Sequence, residues 1–173
     1  MIVKDSRYAI RAWALYKADE KRRNPASSLY TMGSQRGACL HQPFGCVIAD
    51  CSYFFEDLYS WAGAPLPVPV ESDPYTGTLI EHGDEVTLAT LRVANAVIYF
   101  DGPNYSPTVG SHVAVVVGLG DDPLTVSFGQ QSEPALVRVS EDGRPHKFYA
   151  YNTMTRGKIH YPPGFKKAHD ARH

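Results

Sequence analysis

The chain has 173 residues, 43% of them hydrophobic, and a net charge of -1. That length suits one domain with its own core, and the near-neutral charge excludes both disorder and a general polyanion-binding role, so no nucleic acid partner is expected. Apolar runs such as "VAVVVGLG" are too short to cross a membrane, and the opening "MIVKDSRYAIRAW" has early charges and no apolar stretch ending in small residues, so it does not read as a secretory signal.

In chain order, "DSRYAIRAWALYKADEKRRNP" reads as the first helix. Asp5 or Ser6 can cap it; Ala9, Ala12, Trp13 and Tyr16 form an apolar stripe, and Asn24-Pro25 stops it. The basic run Lys21, Arg22, Arg23 falls in the last turn, where it suits the helix dipole and a solvated face. Residues 26 to 50, rich in Ser, Gly and Gln, read as loop. A second helix starts near Cys51 and carries Phe54, Phe55, Leu58 and Trp61 at buried-face spacing up to Gly63. "APLPVPVESDP" is proline-broken, and residues 76 to 91 leave room for a short helix.

From residue 94 the period changes. "ANAVIYF", "SHVAVVVGLG", "LTVSFGQQ", "ALVRVS" and "HKFYAYN" are short β-rich runs separated by turn chemistry, which predicts an antiparallel meander. Helices followed by such strands indicate an α+β fold, with one domain over residues 1 to 155 and a polar tail or linker over 156 to 173.

Cys39, Cys46 and Cys51 are the only cysteines, an odd number that leaves at least one free thiol. With His41 they allow a zinc site, although no Cys-x-x-Cys knuckle is present; a Cys39–Cys46 bridge or two ordinary loop cysteines are the other readings. Cys51 differs in position. At a helix start the dipole favours thiolate and lowers the thiol pKa, as a nucleophile requires, whereas an inert core thiol needs no such setting. A nucleophilic Cys needs a base. Among seven histidines, His169 and His173 fall in the tail, and His41, His82, His146 and His160 in or beside loops. His112 alone opens the most apolar strand, after the polar "PNYSPTVGS".

"DCSYFFEDLYSWAG" followed by "GSHVAVVVG" resembles the NlpC-type cell-wall peptidases, a papain-like group of cysteine hydrolases, whose hallmarks are Asp-Cys-Ser at a helix start and Ser-His-Val opening a strand. "YTGTLIEHG" and the stretch "DPLTVSFGQQSEPALVRVSEDG" further resemble peptidase modules of bacteriophage lysins directed against actinobacteria. The resemblance spans roughly residues 28 to 150. It implies a papain-like α+β fold with helices packed on an antiparallel sheet, Cys51 as nucleophile and His112 as its ion-pair partner and proton carrier. Asp50, Ser52 and Ser111 are implied at the substrate site, together with Tyr30 of "LYTMG". Ala94-Asn95 stands where the family has Gly-Asp. The family's third polar residue falls on Phe128, which cannot hold an imidazole. Strand alternation puts Gln130 two residues on, with an amide oxygen able to accept from His112, while Gln131 points away.

The implied substrate is bacterial peptidoglycan, cut at an amide bond of its stem peptide, with no metal or other cofactor. The partners implied are other lysin domains or phage tail proteins. The protein would be released from the host cytoplasm with help from another protein, or carried on the virion. The rivals are an N-acetylmuramoyl-L-alanine amidase of the related Cys/His group, a virion structural or wall-binding module without turnover, and a zinc-binding interaction module on residues 39 to 51.

Overall fold

The structure, a computed structural model, describes residues 4–31, 47–68, 75–101, 108, 110–129, 134–153 and 158–165. Helix α1 (Lys4–Arg23) buries Ala9, Ile10, Trp13 and Ala14. It ends where Asn24 accepts from the Ala26 amide and opens a single 3-10 turn at Pro25–Ser27. The last-turn cations are used locally: Lys21 donates to the carbonyls of Pro25 and Ser28, and Arg22 and Arg23 both pair with Asp19.

Two three-residue strands, β1 (Ser28–Tyr30) and β2 (Val47–Ala49), pair in parallel inside the stretch expected to be loop. Strands that short carry no readable alternation. They deliver the chain straight into α2 (Cys51–Trp61), whose residues Phe54, Phe55, Leu58 and Trp61 are buried as their spacing predicts. Helix α3 (Thr76–Glu81) is the expected short helix, followed by a strand that had no sequence signal, β3 (Asp84–Val86).

Strands β4 (Ala96–Tyr99), β5 (His112–Gly118), β6 (Leu124–Ser127) and β7 (Ala135–Arg138) form a meander; after the short helix α4 (Val139–Asp142), β8 (His146–Ala150) crosses back. The order is β3-β8-β4-β5-β6-β7, a six-stranded antiparallel sheet. The α+β expectation of helices on an antiparallel sheet holds. Alternation along β5 sends Val113, Val115 and Val117 into the core with α1 and α2, while Ala114 joins Val97, Tyr99 and Val139 in a smaller cluster on the other face.

Ala94 takes the left-handed conformation (φ 70), at a cost of roughly 1–2 kcal/mol for an L-residue. The turn is held regardless. The Ala94 amide donates to Val116, the buried Tyr59 hydroxyl donates to the Ala94 carbonyl, and the Asn95 side chain accepts from the Arg92 amide at 2.7 Å. Asn95 supplies the acceptor that an aspartate would.

Part of the stretch expected to be a polar tail, residues 158–165, lies against the helices. Trp13 Nε1 donates to the His160 carbonyl at 3.0 Å, the His160 amide donates to Ala62, and Ile159 and Tyr161 pack on the core.

Candidate active site

Asp50 is an N-cap by chemistry and by geometry. Its Oδ1 accepts from the amides of Ser52 (3.0 Å) and Tyr53 (2.9 Å) and from the Ser52 hydroxyl (2.9 Å), satisfying amides that the first helical turn leaves open. Asp50 and Ser52 are both 3% exposed. These two expected substrate-site residues therefore build the seat that fixes Cys51 as the first residue of α2. Such a cap contributes about 1 kcal/mol.

The β5–β6 ladder ends at the pair Ala114–Ser127. The backbone N–H of Val113, one residue past that end, donates to the Cys51 sulfur, and the amides of Cys51 and Ser52 also lie toward it. Strand amides lie in the plane of a sheet. The sulfur thus lies at the start of β5, on the backbone of the residue that follows His112.

His112 is 8% exposed, and its Nε2 lies 2.7 Å from Ser127 Oγ. Its ring stacks on Tyr99, its register partner across β4 and β5, with centroids 5.8 Å apart and planes 26° apart. The ring's Cε1 edge faces Gly129, where an added Cβ would come to 3.5 Å.

Two expectations meet the structure here. The family's third polar position falls on Phe128 and the expected orienting group was Gln130; the described side chain that meets the imidazole is Ser127, one residue before Phe128. Alternation explains why. Ser127 shares the face of Ala114 and His112, whereas Phe128 and Val126 point into the core, and Phe128 stacks on Phe54 at 4.8 Å. Gln130 and Gln131 lie outside the described residues, as do Cys39, His41 and Cys46. The second expectation, which concerns charge, is corrected. The helix start was expected to favour thiolate, but burial pushes the Cys51 thiol up to about 11, against the Val113 amide, which stabilises the anion, and with help from Asp50. Burial likewise pushes His112 down to about 4, assisted by the Arg144 cation and opposed by Asp142, Asp101 and Asp50. At neutral pH the pair rests as thiol and imidazole, with no ion pair.

The other expected residues are nearby in part. Tyr30 ends β1 with its ring 5.8 Å from that of Phe128. Ser111 is exposed; its hydroxyl donates to the Tyr99 carbonyl (3.2 Å) and accepts from Arg144 Nη1 (3.0 Å). Arg144 and Tyr99 had no sequence signal beyond the turn "EDGRP" and the register of β4 on β5.

The depressed His112 pKa has a thermodynamic consequence. A histidine that ordinarily titrates near 6.5 but near 4 when folded binds its proton more readily in the unfolded chain. Its contribution is complete above pH 6.5 and is lost as the pH falls through 4, on the order of 3 kcal/mol. Urea unfolding between pH 7 and 4 is expected to show this loss, and His112→Gln to flatten it; an equal slope in both proteins contradicts the assignment.

The chain has the fold of NlpC/p60 domains. It is similar to RipD of Mycobacterium tuberculosis, a non-catalytic NlpC/p60 domain protein adapted to peptidoglycan binding, with 16% identity and a TM-score of 0.56 over 86% of this chain and 98% of RipD. It is also similar to the peptidoglycan hydrolase RipB of the same organism (18% identity, TM-score 0.50, 86% of this chain and 68% of RipB). A lipoprotein-like NLP/P60 protein of Staphylococcus aureus matches at 13% identity and a TM-score of 0.52, over 84% of this chain and 42% of that one. At these identities the likeness is one of fold. No protein-family model matches the chain, and no curated protein matches it in sequence.

Proposed function

We propose that the chain is a cysteine hydrolase that cuts an amide bond in the stem peptide of bacterial peptidoglycan. The observation that carries this reading is the juxtaposition at one sheet end: Cys51 at a capped helix start, its sulfur on the Val113 amide, and His112, the residue before Val113, with Nε2 on Ser127. A core thiol with no chemical task has no need of a buried histidine braced by a hydroxyl.

Because both groups rest neutral, the chemistry starts with proton transfer. His112 takes the thiol proton as the sulfur attacks the amide carbonyl. The Cys51 amide at the helix start, already directed at its own sulfur, donates to the oxyanion. The imidazolium then gives its proton to the departing amine, leaving a thioester. His112 next removes a proton from water, the resulting hydroxide displaces the thiolate, and the imidazolium proton restores the thiol. Ser127 holds Nε2 throughout, so Nδ1 is the nitrogen left for the exchange. A phage setting, as endolysin or tail component, is part of this proposal and rests only on the resemblance read from residues 75 to 83 and 122 to 143.

A wall-binding module without turnover is the second reading, favoured by the burial of Cys51 (8% exposed) and by the likeness to RipD. Incubating wild type and His112→Ala with actinobacterial peptidoglycan, and reading soluble fragments by mass spectrometry, separates the two. New fragments from the wild type alone are expected, and their masses name the bond, distinguishing a peptidase from an amidase. Retained wall binding with no fragments from several wall types overturns the hydrolase.

A further inference from the structure

We infer that Arg144 is a positioning residue for His112, acting through Tyr99 and Ser111. The inference rests on the hydrolase reading for its kinetic consequence and on geometry for its structural one. Arg144 follows α4 and grips Asp142 with two parallel hydrogen bonds, Nε to Oδ1 at 2.5 Å and Nη2 to Oδ2 at 2.7 Å. Its remaining nitrogen, Nη1, reaches Ser111 Oγ at 3.0 Å and Asp101 Oδ1 at 3.4 Å. The guanidinium therefore ties three segments: the end of α4, the end of the β4 segment and the residue that precedes His112. Only a planar fork with several fixed donors can do this at once.

The same guanidinium carbon lies 5.1 Å from the centroid of the Tyr99 ring, the ring that stacks on His112. Tyr99 is 1% exposed, so it has little room to shift and transmits the position of Arg144 to the imidazole. Three contacts then bound the histidine: Tyr99 on a ring face, Ser127 at Nε2 and the clamped Ser111 on its backbone. The charges facing it are the Arg144 cation and the carboxylates of Asp142, Asp101 and Asp50. His146 lies on the far side of this group, 5.9 Å from Tyr99. The cation opposes imidazolium, and burial of the ring magnifies its effect. Arg144 so holds the ring in place and adds to burial in keeping it unprotonated, the state in which it accepts the thiol proton.

The test is to titrate the His112 ring by nitrogen-15 NMR in wild type, Arg144→Gln and Arg144→Lys, with wall-hydrolysis kinetics on each. Arg144→Gln removes the cation and leaves Asp142 and Asp101 unopposed, so the His112 midpoint is expected to rise from about 4 by roughly one pH unit or more, a tenfold change in proton affinity. Its kcat is expected to fall about tenfold with KM within about twofold. Arg144→Lys keeps the charge and loses the fork, so its midpoint stays low while its Tyr99–His112 ring contacts weaken and its kcat falls. A lowered melting temperature with an unmoved midpoint and unchanged kcat in both variants reduces Arg144 to a structural residue and overturns the proposal. If Arg144→Gln does not fold, Arg144→Lys decides: unaltered ring contacts and wild-type kcat overturn the proposal. If wild type releases no fragments, the hydrolase reading fails by itself, and the NMR titration still decides the role of Arg144.

Discussion

Cys51→Ala is expected to lower the rate of fragment release from peptidoglycan by about a thousandfold or more, while the variant still sediments with the wall. No other described side chain beside His112 offers a sulfur or an activated hydroxyl in its place. Ser52 is spent on the Asp50 cap, and Ser127 lies at the nitrogen that orients the ring. The fold should tolerate the change. The sulfur accepts from one strand amide at the end of a ladder, and alanine suits the first turn of a helix. Loss of turnover with retained wall binding is thus the expected pairing. Cys51→Ala with wild-type rates removes the proposed nucleophile; loss of binding and turnover together means that substrate contacts depend on the sulfur.

Phe128→Ala is expected to destabilise the domain by roughly 3–5 kcal/mol, read as a shift in the urea midpoint at constant slope. Phe128 is 1% exposed and stacks on Phe54, which meets Trp61 at 6.4 Å; Trp61 in turn lies 5.7 Å from Trp13 of α1. Truncating it opens a cavity in the column of rings that joins the end of β6 to both long helices. A cost below about 1 kcal/mol would place Phe128 outside the core and reopen it as a site residue.

That residue also marks where the sequence stopped being readable. The Cys51 helix was legible because two signals agree there, apolar residues at helical spacing and a glycine just beyond the end; the capping role of Asp50 came from the structure. The opening of β5 was legible because four valines, Val113, Val115, Val116 and Val117, follow a polar turn. Ser127 was not, since a strand read from pattern alone carries a register ambiguity of one residue, and one residue exchanges the two faces. "TVSFG" offers a hydroxyl and an aromatic side by side, and only the pairing Ala114–Ser127 says which meets the histidine. The neutral state of the pair was equally hidden. A helix start favours thiolate by a small, solvent-sensitive amount, while burial penalises it by more, and burial belongs to the assembled fold. The three-residue strands β1, β2 and β3 fall below the length at which alternation exists.

The resting neutrality of Cys51 has a consequence for the lifetime of the protein. Oxidants and alkylating agents attack thiolates that solvent can reach; this sulfur is 8% exposed, and its thiol form persists to about pH 11. A thiol kept in that form resists drifting to sulfenic or sulfinic acid. Under the hydrolase proposed above, substrate arrival, which brings the carbonyl that makes proton loss worthwhile, is then what arms it, and the burial that slows the first step also preserves the sulfur until then.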